Sequence, residues 1–178
     1  MSTLTHVPSR ASAAIADVST VAKLVLRGCE HVLAELHPSG RPLASRRAVR
    51  AAGAWWCTLS PDLVLVLGVP GGDTDVVEEV RERTAGEGVR VVDVTSHLVA
   101  LRVMGSAARQ LLTRAGAQPL PAGAVRCESI DGIPTLVVHE YERRWLLAAP
   151  AADAAALWHA LSAAGAPLGL EYVGGLTA

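Results

Sequence analysis

The sequence contains no phenylalanine, and aromatic residues make up only 3% of it. A core must therefore be built from aliphatic side chains, and the four tryptophans can be read one by one. Charge of either sign is not in excess: 16 Lys and Arg against 17 Asp and Glu leave a formal net charge of -1. Nucleic-acid binders carry a basic face, so a nucleic-acid partner is not expected. Cysteine is scarce. Cys29, Cys57 and Cys127 form no CxxC pair and have no His at zinc-finger spacing, so buried free thiols and no metal site are expected. No apolar run reaches the roughly 18 residues of a membrane helix, because charged, Gly or Pro residues interrupt Leu63–Pro70 and Ala149–Leu161. Met1–Arg10 is polar without a basic-then-apolar signal pattern, which makes a cytoplasmic location the expectation. G-x-G-x-x-G, P-loop, H-E-x-x-H and G-x-S-x-G patterns are all missing, so nucleotide, zinc-protease and hydrolase chemistries lack their usual anchors. Gly71-Gly72 is too short to cradle a phosphate and reads as a turn.

What is present is apolar and repetitive. Half of the residues, 51%, are hydrophobic, enough for a well-buried core. Asp17-Val-Ser-Thr-Val-Ala-Lys-Leu-Val-Leu-Arg-Gly28 returns, with one residue inserted, as Asp93-Val-Thr-Ser-His-Leu-Val-Ala-Leu-Arg-Val-Met-Gly105. Leu63–Pro70 followed by Asp73 parallels Arg143–Pro150 followed by Asp153, and Thr84-Ala-Gly86 parallels Ala163-Ala-Gly165. The offset stays at about 76–80 residues throughout, the signature of an internal duplication.

Each copy reads alike. Strand-like runs at Thr20–Leu26 and Leu98–Val103 end at a glycine and lead into helices Cys29–Leu36 and Ser106–Arg114. Hairpins follow, Trp55–Leu59 with Leu63–Leu67 around Ser60-Pro61-Asp62, and Thr135–His139 with Arg143–Ala148 around Glu140-Tyr141-Glu142. Closing helices span Asp73–Thr84 and Ala151–Ala164, with Asp73 and Asp153 as expected N-caps. Val89–Val92 and Leu168–Tyr172 add edge strands, and Ala124–Ile130 adds a further strand to the second copy. The expected fold is α+β, a tandem duplication of two ferredoxin-like βαββαβ units with pseudo-twofold symmetry, dividing into residues 1–88 and 89–178 as one rigid body.

The string from Val92 to Leu112 resembles the "Asp-Val-Ser, strand, Gly-x-x-Ala, helix" signature of the folate-binding aminomethyltransferase superfamily, whose best-known member is the T-protein of glycine cleavage. Ala16-Asp-Val-Ser19 and Pro167-Leu-Gly-Leu-Glu-Tyr172 support the likeness. Within that superfamily the chain is similar in size to the gamma subunits of heterotetrameric sarcosine oxidases. The Lys-Gly-Cys-Tyr-x-Gly-Gln motif of the iron–sulfur repair branch is absent, and the chain is too short for the additional domain that surrounds the folate pocket in larger members. The resemblance therefore implies a non-catalytic accessory subunit that binds no cofactor alone, docks on a larger flavin- or folate-binding oxidase subunit, and supports amine oxidation there.

Two other readings remain open on the residues. A stand-alone cyclase, lyase or one-carbon-transfer enzyme would need titratable groups at the seam between the copies. His97 beside Asp93-Val-Thr95, and His139, Arg143 and Arg144 in His139-Glu-Tyr-Glu-Arg-Arg-Trp145, are its candidates, an imidazole with carboxylates and guanidiniums being able to orient and protonate a carboxylate substrate. The bland alternatives are a solvent-facing strand residue for His97 and a solvated hairpin tip for the others. A homodimeric ligand-binding module is the third reading. For a partner interface, Trp55, Trp56, Tyr141, Trp145 and Trp158 are the candidates, since Trp and Tyr are common anchors and one ring of Trp55-Trp56 should face outward. Arg41, Arg46, Arg47 and Arg50 read as a solvated loop rather than an anion contact. Asp17 and Asp93 read as Asx turns on the backbone N–H groups that follow them.

Overall fold

The computed structural model describes residues 12–38, 44–69 and 75–173. Their elements run β1 (Ala13–Asp17), β2 (Lys23–Arg27), α1 (Glu30–Leu36), β3 (Arg47–Ala51), β4 (Ala54–Ser60), β5 (Leu63–Gly68), α2 (Val76–Thr84), β6 (Arg90–Asp93), β7 (Leu98–Met104), α3 (Ala108–Arg114), β8 (Val125–Ile130), β9 (Ile133–Tyr141), β10 (Arg144–Pro150), α4 (Ala154–Gly165) and β11 (Leu170–Val173). The chain is α+β. Strands β3-β4-β5-β2-β6 make one sheet and β11-β1-β7-β10-β9-β8 the other, antiparallel except where β1 lies parallel to β11.

Three apolar clusters define four layers. Trp55, Cys57, Leu65 and Leu67 of the first sheet meet Ala100, Val138, Leu146 and Ala148 of the second, so the sheets pack face to face. The outer face of the first carries Leu24, Leu26, Trp56 and Val66 against Leu33 of α1 and Val76 and Val80 of α2. The outer face of the second carries Leu101, Val103, Val137 and Leu147 against Leu111 of α3 and Leu157 and Leu161 of α4. Central strands are thus covered on both sides, which is why β5 and β10 read as nearly unbroken apolar runs.

Differences from expectation have local causes. Arg47–Ala51 is an edge strand paired with β4, not a loop; only Ala48 is buried there, so the segment carries too little apolar pattern to announce a strand. Arg41 lies outside the described residues. So does Asp73; α2 is capped instead by Asp75, whose Oδ1 accepts from Val77 N at 3.0 Å and Glu78 N at 3.3 Å. Asp153 makes no side-chain cap bond, because a 3-10 turn over Ala151–Asp153 already carries the chain into α4. The second hairpin turns later than expected: β9 extends to Tyr141 and draws Glu140 into the sheet. Met1–Arg10 and Gly71-Gly72 lie outside the described residues. Among the described residues no helix is long and apolar enough to cross a membrane.

Two strands cross between the halves. β1 pairs with β7 of the second sheet, and β6 pairs with β2 of the first. The hydrogen bonds at these crossings match. Val18 N donates to Ala100 O at 2.9 Å and Val94 N to Lys23 O at 2.8 Å. Ser19 Oγ accepts from Ala100 N at 3.0 Å, and Thr95 Oγ1 accepts from Lys23 N at 2.9 Å. Asp17 and Asp93 each take the N–H two residues on, from Ser19 and Thr95, at 2.8 Å. The repeated Asp-Val-Ser/Thr tripeptide is therefore the device by which each half is stitched to the other.

Candidate functional site

The seam between the sheets holds the polar groups that a purely apolar sandwich would not need. Lys23 faces it from β2, fully buried, and its Nζ donates to the carbonyls of Ser19 at 2.7 Å, Val21 at 3.0 Å and Thr95 at 3.1 Å. Burial lowers its pKa, against the opposing pull of Asp17 and Asp93. With all three ammonium donors engaged, the group ties the crossing together and offers no nucleophile. Its counterpart in the matched hydrogen bonds is Ala100, so the lysine breaks the likeness between the halves.

One end of the seam is closed by an ion pair. Arg102 of β7 grips Glu140 of β9 with Nε to Oε2 and Nη2 to Oε1, both at 3.0 Å, and the side chains are 11% and 1% exposed. Tyr141 stands beside it, edge-on to Trp55 with ring centroids 5.6 Å apart, and its hydroxyl accepts from Arg50 at 3.0 Å. Burial, reinforced by the Glu140 carboxylate, pushes the Cys57 thiol far above the ordinary range, so Cys57 is inert.

The other end is open. Val25, Leu59, Leu63 and Leu65 of the first sheet and Leu98, Pro134, Leu136, Ala148 and Pro150 of the second line a cleft of about 250 Å³. Only Thr135 and Cys127 bring a polar side-chain atom to its lining, and the Thr135 hydroxyl is spent on Ile133 O at 3.0 Å. Folate is the ligand that the superfamily resemblance raises, and this cleft does not fit it: the hydrogen-bonding edge of a pterin would be desolvated here without partners.

Strand alternation scatters the residues singled out in the sequence. His139 and Glu140 are consecutive and point to opposite faces, while Tyr141, at the register shift opposite Arg144, turns to the Glu140 side and meets Trp55. His139 lies on the helix side of the second sheet, stacked on Trp145 at 4.4 Å, with Nδ1 2.7 Å from Leu120 O. Arg143 and Arg144 are exposed at the hairpin tip, and His97 is exposed on the 3-10 turn Thr95–His97, which accommodates the residue inserted in the second copy. None of these four lines the cleft. Trp55 and Trp56 do take opposite faces, yet both are buried, Trp55 between the sheets and Trp56 under the helices, so neither ring is outward. Trp145 is buried as well. Trp158 is half-buried and stacks on Tyr172 at 5.2 Å; Tyr172 and Val173 are each 52% exposed on the edge strand β11. Cys29 and Cys127 are exposed rather than buried, because Cys29 precedes a short surface helix and Cys127, on the edge strand β8, lies at the open end of the seam. The Arg102–Glu140 pair and Lys23 were not visible in the sequence as a site. Among the described residues no cluster of three or more His, Cys, Asp or Glu could hold a metal ion.

No family model and no curated protein matches the sequence. Solved structures do match its shape. A chain of the heterotetrameric sarcosine oxidase from Corynebacterium sp. U-96, in complex with pyrrole 2-carboxylate, superposes with a TM-score of 0.74 at 19% identity, over 93% of this chain and 90% of that one. The glycine cleavage system aminomethyltransferase T from Bartonella henselae superposes with a TM-score of 0.73 at 18% identity, over 93% of this chain but only 48% of that one. The fold is therefore shared with both, and the chain spans about half the length of the aminomethyltransferase.

Proposed function

We propose that the chain is an accessory, gamma-type subunit of a sarcosine-oxidase-like amine oxidase, docked on a larger flavin-containing chain that performs the chemistry. The observation that carries this reading is the end-to-end correspondence with a chain of a heterotetrameric oxidase, 90% of which is covered, against 48% of the aminomethyltransferase. On this reading the protein itself carries no cofactor, folate or flavin belongs to the partner, and the assembly works in the cytoplasm.

The docking face is proposed to lie where large apolar side chains remain uncovered. Tyr172 and Val173 on β11, with Trp158 behind them, form such a strip on the outermost strand of the six-stranded sheet. A strand that is outermost among the described residues and carries exposed apolar side chains is a template for pairing with another chain. Tyr141 and Arg50 form a second, smaller contact region. A homodimer through the same β11 edge is the competing occupant.

The internal likeness supports the expected duplication of two βαββαβ units with pseudo-twofold symmetry, near 1–88 and 89–178, each widened by an edge strand, β3 or β8, and with the leading strands β1 and β6 exchanged. Its support is the common strand order and the matched hydrogen bonds of Ser19 and Thr95.

Affinity purification of the tagged chain from its native cells tests the reading. The expected result is a stoichiometric larger chain with a flavin absorbance spectrum and amine oxidase activity, lost from the eluate when Tyr172→Glu is introduced. A wild-type chain that elutes alone, as monomer or homodimer without flavin, refutes it.

A further inference from the structure

We propose that the open end of the seam is a binding site for a small monocarboxylate with an apolar body, such as a medium-chain acyl carboxylate. The cleft supplies the apolar half of that complementarity. Val25, Leu65, Leu98, Leu136 and Ala148 line it, and transfer of apolar surface out of water is the driving force for filling it. Its volume of about 250 Å³ falls just under the roughly 300–1,000 Å³ of drug-sized sites, which selects a small ligand.

The charge comes from the adjoining hollow. Arg46, Leu59, Val125, Arg126 and Cys127 line it, and it shares Leu59 and Cys127 with the cleft, so the two are continuous. Its two cations differ. Arg126 is consumed by Glu128 and by the carbonyls of Gln118 at 3.3 Å and Pro119 at 3.1 Å. Arg46 enters no ion pair among the described residues, and its guanidinium is the uncommitted fork. Its backbone is held from both sides, Arg46 N donating to Thr58 O at 2.7 Å and Val125 N donating to Arg46 O at 3.0 Å. That double anchor holds a non-glycine residue at φ 65°, a conformation that side chains other than Asn and Asp seldom adopt. A carboxylate at the mouth would take a charge-assisted, bidentate bond from Arg46 while its chain lies along the apolar floor.

The site lies between the sheets and the proposed partner face lies on β11 and α4, so the two proposals succeed or fail separately. Cys127 at the junction of the two hollows gives a direct readout, and exposed Cys29 serves as an internal control. The isolated chain is alkylated with N-ethylmaleimide and the rate at each cysteine is followed by peptide mass mapping, with decanoate, with decanol, and with neither. Decanoate should slow alkylation at Cys127 and leave Cys29 unchanged, with decanol protecting weakly. Arg46→Asn, which keeps the backbone conformation and removes the charge, should weaken the decanoate effect about tenfold in concentration and leave that of decanol in place. Equal protection by the acid and the alcohol, slowing at both cysteines, no protection at all, or protection only when a partner protein is present would each overturn the proposal.

Discussion

Replacing Arg102 by methionine tests whether the closed end of the seam is held by charge or by shape. The wild-type pair is bidentate at 3.0 Å in both arms, and the Glu140 side chain is 1% exposed. Removing the guanidinium leaves that carboxylate without a partner and without water. Breaking a buried pair in this way costs about 3–5 kcal/mol. For a chain of this length each kcal/mol moves the melting temperature by about 2–4 °C, so a loss of roughly 6–20 °C is expected. The double variant separates charge from packing. Adding Glu140→Leu should restore most of the loss, since apolar replacements of a whole buried pair are often neutral. Thermal and urea unfolding of both single variants and the double variant completes the cycle. A single-variant cost within about 0.5 kcal/mol, or a double variant as unstable as the sum of the singles, would refute the reasoning.

Two further perturbations probe the neighbouring layers. His37 is buried edge-on to Trp56 at 5.4 Å, and desolvation, aided by Arg83, pushes its pKa down to about 4. Because the folded value lies below the unfolded one near ~6.5, its contribution to stability is fully present above that pH and is lost as pH falls toward 4. Urea unfolding from pH 7 to 4 should show His37→Phe losing less stability than the wild type by roughly 1–3 kcal/mol, and parallel curves would contradict the assignment. Lys23→Met leaves the Ser19, Val21 and Thr95 carbonyls without their shared donor, for an expected cost of about 2–4 kcal/mol by the same measurement. An unchanged midpoint would show that the ammonium's desolvation already cancels its bonds.

What could be read from the sequence was whatever repeats or alternates locally. The Asp-Val-Ser and Asp-Val-Thr tripeptides appear in the chain as a motif with a backbone mechanism, and Ser19 and Thr95 act accordingly. The two-sided burial of β5 and β10 was legible as unbroken apolar runs. Pairings across the seam were not. Arg102 and Glu140 stand 38 positions apart, and Glu140 sits in a charged string that reads as a solvated tip until strand alternation separates its members. Lys23 looks like one more surface cation, because nothing local reveals that carbonyls of both crossings converge on it. The cleft is assembled from seven strands, none of which carries a pattern of its own for it. Tryptophan misled for a related reason: alternation correctly sent Trp55 and Trp56 to opposite faces, but an outward ring follows only if one face of the sheet meets water, and helices cover that face here. Departures from the internal likeness therefore say more about function than the likeness itself. Lys23 stands where the other half has Ala100, and the Arg102–Glu140 pair closes one end of a seam whose other end is left open beside Arg46.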